Sequence, residues 1–344
     1  MSYTNGLDKP TDYFNTVLWT GNGSTQSITG VGFQPDWIWG KNRSDTNSHW
    51  VNDVIRGVDI RLVPNTADAE DNPGTDIVTS FDSDGFSLGS NTEGNKSANN
   101  YVAWNWLASN TTASNTDGTI TSSVSANTTA GFSIVSYTGT GSNATIGHGL
   151  GAVPKMIIVK LRSSAGDWTV YNSVIGNTNF LRLNGTLAST SQATYWNNTS
   201  PTSSVFTVGS AGDVNTSSGT HIAYCFAEKK GFSAMGSYQG SGNSDGPMIY
   251  TGFKPAMVIF KRTDSTSNWT IYDTTRDSFN VMEDKLHPNT SGAESDFTGL
   301  DFLSNGFKFR TTEPTFNASG ATFIYMAFAS NPFVTSTGIP TTAR

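Results

Sequence analysis

Three stretches decide the fold when set side by side: FQPDWIWGKNRSDTNSHWVNDVIRG (33–57), GAVPKMIIVKLRSSAGDWTVYNSVIG (151–176) and FKPAMVIFKRTDSTSNWTIYDTTRD (253–277). Pro35, Pro154 and Pro255 anchor them, and a lysine follows six positions later in each: Lys41, Lys160 and Lys261. A tryptophan follows at nearly constant distance, Trp50 after 15 residues and Trp168 and Trp269 after 14. Upstream lie matching aromatic strands and Gly-rich turns, VLWTGNGS (17–24), IVSYTGTGS (134–142) and MGSYQGSGN (235–243). Downstream, Asn95, Asn215 and Asn317 each stand six residues before an aromatic-rich run: YVAWNWLA, HIAYCFA and FIYMAFA. The period is that of a module of about 100 residues, far longer than a solenoid turn.

Each copy carries strand signals. PKMIIVK and PAMVIFK are short apolar runs rich in β-branched residues, as expected of strands covered on both faces. Asn22-Gly23, Asp84-Gly85, Asn184-Gly185 and Asn305-Gly306 are hairpin-turn dipeptides. No long stretch has helical period. The expected fold is all-β, three tandem β-sandwich or jelly-roll-like repeats of about 100 residues. The expected boundaries are 1–109, a linker at 110–130, 131–229, 230–330 and a frayed tail at 331–344. The linker, poor in large apolar residues, should be extended or contribute at most one edge strand.

Composition narrows the function. The 344 residues carry a formal charge of −7, only 14% are charged, and 40 are aromatic (9 Trp, 11 Tyr, 20 Phe). Such a chain is neither disordered nor a nucleic-acid binder working through a basic face. A single cysteine, Cys225, excludes an internal disulfide framework. No apolar run is long enough for a membrane-spanning helix, and the N-terminus lacks the basic-then-apolar pattern of a secretory signal. Synthesis in a cytosol is the expectation.

Comparison of the copies weighs the candidate residues. Asp53 and Arg56, like Asp273 and Arg276, stand three apart, whereas the second copy has Asn172 and Ile175. Joint loss of both partners marks a structural ion pair rather than a catalytic one. The three lysines should lay their stems over the core and place the ammonium at the rim. Trp50, Trp168 and Trp269 should be core anchors. Tyr195-Trp196, in a polar loop without a counterpart elsewhere, is the candidate for stacking on carbohydrate, with core filling as the competing reading. Asp82 and Asp84 in FDSDGF, near Asp68, Glu70, Asp71 and Asp76, resemble the opening of a calcium loop, but the late glutamate is missing and SNGF in the third copy reads as the same turn. No metal site, cofactor or catalytic residue is expected. His49, His148, His221 and His287 lack paired-ligand spacing, and the GNG, GTG and GSG turns lack the following helix of a phosphate site. Cys225 aligns with Asn105 and Ala327, a place for small buried side chains.

The opening GLDKPTDYFNTVLWTGNGSTQSITGVGFQPDWIWGKNR, with SFDSDGFSLG and YVAWNW further on, resembles a poorly characterised tandem β-module family of virion proteins from tailed, often marine, bacteriophages. Its members are usually labelled tail fibre or structural protein. The first copy matches nearly end to end, including Lys41, Arg56, Gly57 and Asn65, and the second least. The resemblance implies a non-enzymatic virion structural protein, made in the host cytoplasm. It would be a tail-fibre or tail-tip component contacting a host surface glycan. Other virion proteins would be its partners, with no nucleic acid and no membrane insertion. It would form a homo-oligomer, a trimer in many viral appendages. A head fibre or capsid decoration protein, with three units mimicking a trimer, is the alternative; a surface-polysaccharide depolymerase is the second alternative.

Overall fold

The apolar runs WIWGKN (Trp37–Asn42) and MIIVKL (Met156–Leu161) are buried at every position, as strands covered on both faces must be. They are central strands of two of six antiparallel sheets in the computed structural model, which describes residues 7–73 and 77–341. The sheets fall into three pairs along the chain.

In the first pair a five-stranded sheet runs Phe14–Thr20, Asn100–Trp106, Trp37–Asn42, Trp50–Asp53, Gly57–Leu62. It faces a three-stranded sheet of Gln26–Thr29, Gly85–Leu88 and Val78–Asp82. The second pair sets an eight-stranded sheet, with Met156–Leu161 beside Thr220–Phe226 at its centre, against Ala144–Gly147 and Val205–Val208. The third sets Ser233–Gln239, Thr322–Pro332, Phe253–Arg262 and Thr270–Asp273 against Met248–Tyr250, Gly306–Phe309, Ser295–Leu303 and Met282–Lys285. Each pair encloses its own core, for example Trp19, Trp50, Phe86 and Tyr101 in the first.

A fourth core lies between the pairs. The large sheets turn their second faces toward one another and bury Trp37, Trp104, Ile158, Tyr224, Ile259 and Met326 together. Strand register defines the equivalences: Trp37 faces Trp106, Met156 faces Phe226 and Met257 faces Phe328. Trp106, Phe226 and Phe328 close a triangle, with ring centroids 6.5, 6.0 and 5.5 Å apart. The three units thus surround a pseudo-threefold axis within one chain. Burying three aromatic rings on one axis contributes on the order of 2 kcal/mol each.

Register also corrects the tryptophan alignment. Gly40 faces Trp50, Val159 faces Thr169 and Phe260 faces Thr270. Trp50 is therefore equivalent to the two threonines, and its extra residue of spacing turns it into the first sandwich core instead of the central one. It fits because Gly40 has no side chain: a Cβ there would sit 2.0 Å from the indole. The true counterpart of Trp168 and Trp269 is His49.

Residues 110–130 are more than a linker. Ala113–Asn115 and Ser122–Asn127 are two strands that extend the second large sheet. At the other end, Asn331 and Pro332 complete the last long strand. Beyond it, Ser336 is held by the Asp8 carboxylate through its N–H at 2.6 Å and through its hydroxyl. Residues 342–344 of the expected tail lie outside the described residues. Among the described residues no helix is long and apolar enough to cross a membrane.

Candidate functional site

Asp53 ends a strand and Arg56 sits in the turn after it, so the spacing of three brings the side chains together. Arg56 Nε donates to Asp53 Oδ2 at 2.6 Å, while the N–H groups of Ile55 and Arg56 donate to Oδ1. Arg276 and Asp273 repeat the arrangement at 2.5 Å, and all four side chains are fully buried. At the second copy the Asn172 amide oxygen accepts from Val174 N–H, and Ile175 replaces the guanidinium.

Each buried carboxylate has a further partner in a neighbouring unit. Tyr224 Oη donates to Asp53 Oδ2 at 2.7 Å, and Trp104 Nε1 donates to Asp273 Oδ2 at 3.0 Å. Trp104, Tyr224 and Met326 occupy one equivalent position, facing Trp39, Ile158 and Ile259. Met326, which has no donor, is the one that belongs with Asn172. Three groups were therefore exchanged as a set: carboxylate, guanidinium and the donor across the seam. Asn172 Nδ2 is left without a hydrogen-bond partner.

Backbone carbonyls complete each seam in the same cyclic sense. Trp168 Nε1 donates to Val63 O at 3.0 Å and Trp269 Nε1 to Arg182 O at 2.8 Å. His49 takes the third place: Trp39 donates to its Nδ1, which leaves the proton on Nε2 for His287 O at 3.1 Å. The lysines follow the same circuit. Lys160 Nζ reaches Ala67 O, Lys261 Nζ reaches Thr186 O and Lys41 Nζ reaches Ser291 O, at 3.3, 3.1 and 3.4 Å. All three are fully buried, so the ammonium groups are not at a solvated rim as the sequence suggests. Burial lowers each pKa to about 8. An ammonium that donates to carbonyls of its own and the next unit joins sheets; it is not poised to bind an anion.

Arg162 pairs with Glu70 and Arg43 with Glu294 at the outer rim of two seams, at 2.7 and 2.5 Å. At the third, Ser189 and Thr263 stand in those places, and the Ser189 hydroxyl and N–H both donate to Thr263 O, at 3.0 and 2.9 Å. The seam between the second and third units therefore has no ion pair among the described residues, and its one buried charge is the Lys261 ammonium on Thr186 O.

Tyr195 and Trp196 do not form a stacking platform. Tyr195 lies on the Phe180 ring with centroids 3.7 Å apart and donates to Asp213, while Trp196 donates to Asn179 O. Both are buried in the second sandwich core, because Ala193–Trp196 folds as a helical turn that points them inward. Asp84 accepts the N–H groups of Gly30 and Gly32, and Asp82 accepts the hydroxyls of Ser80 and Ser87, so this turn has its own partners. Among the described residues no cluster of histidine, cysteine and carboxylate side chains could hold a metal; Asp76 lies outside them.

The repeated asparagines have a role that spacing alone did not disclose. Asn95, Asn215 and Asn317 accept the N–H of Asn22, Thr140 and Ser241 and donate to Gly89 O, Gly209 O and Thr311 O. They clamp the Gly-rich turns to the sandwich, which accounts for GNG, GTG and GSG without any phosphate. Cys225 is buried beside Ser133, and burial pushes its thiol up, away from reactivity.

Residues 9–332 match one sequence family, described as a domain of unknown function (DUF7483), and the chain belongs to that family. The match spans all three sheet pairs. No curated protein matches the chain.

Proposed function

We propose that the chain is a structural component of a tailed-bacteriophage virion, a tail-fibre or tail-tip element that contacts the host cell surface. The observation that carries this reading is the closed pseudo-threefold ring. The ionisable residues that sequence comparison singled out, Asp53, Arg56, Asp273, Arg276 and the three lysines, are consumed in joining sheets. A chain built this way is a rigid block that places loops at fixed spacing, and the sequence resemblance to phage virion proteins supplies the setting. Binding without turnover is its expected behaviour, with other virion proteins as neighbours and a host glycan as the contact.

The same ring favours a second reading. A monomer with internal threefold arrangement fits a threefold site on a capsid, as a head fibre or decoration protein does.

Incubation of the purified chain with host cells and with extracted surface polysaccharide separates these readings. Binding with no fall in polymer length supports the tail reading, and binding to purified capsids alone supports the head reading. Depolymerisation would overturn both.

A further inference from the structure

The three units are finished differently where the chain passes from one to the next. Between the first and second, residues 107–131 make a long excursion. Ser122–Asn127 pairs with the edge of Phe132–Thr138, and Ile120 bridges in parallel to Ile146 at the edge of the smaller sheet. Ile120 N–H donates to Thr145 O at 3.0 Å, and Ser122 Oγ donates to Gly147 O at 2.8 Å. Asn127 ties this passage to Ala108 O, whose own N–H is held by Asp36. Ile120, Ser122 and Val124 alternate inward and are buried. One extended segment thus closes the open edges of two sheets.

Between the second and third units the chain crosses directly through residues 227–232. By register, Ser233–Gln239 is the counterpart of Phe132–Thr138, and Met248–Tyr250 of Thr145–Gly147. Among the described residues both are terminal strands of their sheets, and beyond them only Ser233 is bridged, to Lys229 in the turn before it. Met248 is 42% exposed and Tyr250 64%, where the second unit has its edge covered. Beside them lies a cleft of about 680 Å³ whose walls include Lys155, Glu228, Ser233, Tyr250, Gly252 and Phe333. Lys155 and Glu228 are the counterparts of Asp36 and Ala108, and Gly252 of Gly149, on which a Cβ would meet Val124 and Ala126. The cleft therefore occupies the place that Ser122–Asn127 fills one unit earlier.

We propose that this cleft receives an extended polypeptide segment of another protein, which adds as a strand to Met248–Tyr250 and Ser233–Gln239. An edge with unpaired backbone groups and exposed apolar side chains is a template for strand addition. The occupant comes from another protein because this chain's own covering segment is already paired in the second unit. Its chemistry follows from that segment: small or apolar residues at every second position facing inward. Lys155 and Lys230 stand against Glu228 on the wall, a small positive excess, while Tyr250 and Phe333 beside them are apolar, so a segment with few charges and no basic residue facing inward fits.

The peptide TITSSVSAN (119–127) is the probe, titrated into the full chain and followed by amide hydrogen exchange. It omits residues 113–118 because the Asn115 side chain lies where a Cβ on Gly147 would be, the place Tyr250 occupies. Saturable protection of 233–239 and 248–250 is expected, with none added at 132–138. The peptide carrying Ile120→Asp should bind at least about tenfold more weakly, since it would bury a carboxylate. Met248→Pro in the chain removes the outward N–H and should abolish protection without lowering the melting temperature, because an edge strand tolerates proline. Absence of protection at millimolar peptide would overturn the proposal, as would protection indifferent to Ile120→Asp. A host polysaccharide that protects these amides while the peptide does not would assign the cleft to a sugar instead.

Discussion

The Tyr224 hydroxyl donates to Asp53 Oδ2 at 2.7 Å although the two residues lie 171 positions apart in the chain. The bond joins the second unit to the first, and Trp104 to Asp273 joins the first to the third. A carboxylate in dry surroundings is tolerated only when its lone pairs are used, and here Arg56, two backbone N–H groups and the tyrosine use them. The ring is held by completing a local motif from a neighbour.

Tyr224→Phe removes one donor to a buried charge and leaves the others. A loss of about 1.5–3 kcal/mol is expected, the range for a hydrogen bond to a charged group. Asp53→Ala strands the buried Arg56 guanidinium and should cost about 3–5 kcal/mol. Urea unfolding of both variants checks the order; equal losses would mean that the tyrosine, not the ion pair, dominates the seam.

The three lysines give a chemical test of closure. With pKa values lowered to about 8 they would be the most reactive amines of the chain if accessible. Burial should instead protect them: amine-labelling reagents at pH 8 are expected to modify exposed Lys9 and Lys96 and to spare Lys41, Lys160 and Lys261 until the chain unfolds. Mass spectrometry of labelled peptides reads this directly. Early modification of any of the three would show an open seam.

Acid should destabilise the fold from about pH 6.5 downward. Burial lowers the pKa of His49, His148, His221 and His287, so below the ordinary value of 6.5 the unfolded chain binds protons that the folded chain refuses. Stability falls wherever the unfolded state takes up more protons as pH drops. Asp36 and Asp284 act oppositely, because burial raises both to about 6 and the folded state protonates first. Burial raises Glu228 in the same direction; four groups oppose three, and the net slope is a decline. A melting temperature that stays flat or rises between pH 7 and 5 would contradict it.

How much of this was legible in the sequence differs from residue to residue. Pro35, Pro154 and Pro255 and the apolar runs after them revealed the strands, since burial on both faces leaves a continuous apolar run. The same property hid the central core: a strand apolar on both sides does not say which neighbour covers which side. The one-residue offset of Trp50 was visible as spacing, but its meaning required the pairing of Gly40. Joint replacement at Asn172 and Ile175 was readable, whereas Met326 was not, because the third partner sits in the following unit. The sequence left Tyr195 and Trp196 open between stacking and core filling, because a polar flanking sequence says nothing about which way a helical turn points.

The seam between the second and third units differs from the other two in how the chain joins it. Residues 227–232 tether the second and third units directly, so their register needs no ion-pair set beyond the hydrogen bonds of Lys261, Trp269 and Ser189. The first and third units have no such tether, and the first and second are joined through the long passage 107–131. Ion-pair sets stand at those two seams. A buried ion pair is close to neutral in stability against a well-packed apolar replacement, but half of one is costly. Asn172→Asp alone should therefore lose about 3–5 kcal/mol, since its charge would face Ile175 and Met326. Adding Ile175→Arg should recover most of that loss, and Met326→Tyr should supply the donor at a packing cost of about 1–3 kcal/mol. The triple variant is expected near the parent and far above the sum of its single changes, a coupling that a mutant cycle measures. If Asn172→Asp alone unfolds at the parent's denaturant midpoint, the three positions do not act as a set, and the account of the seams fails.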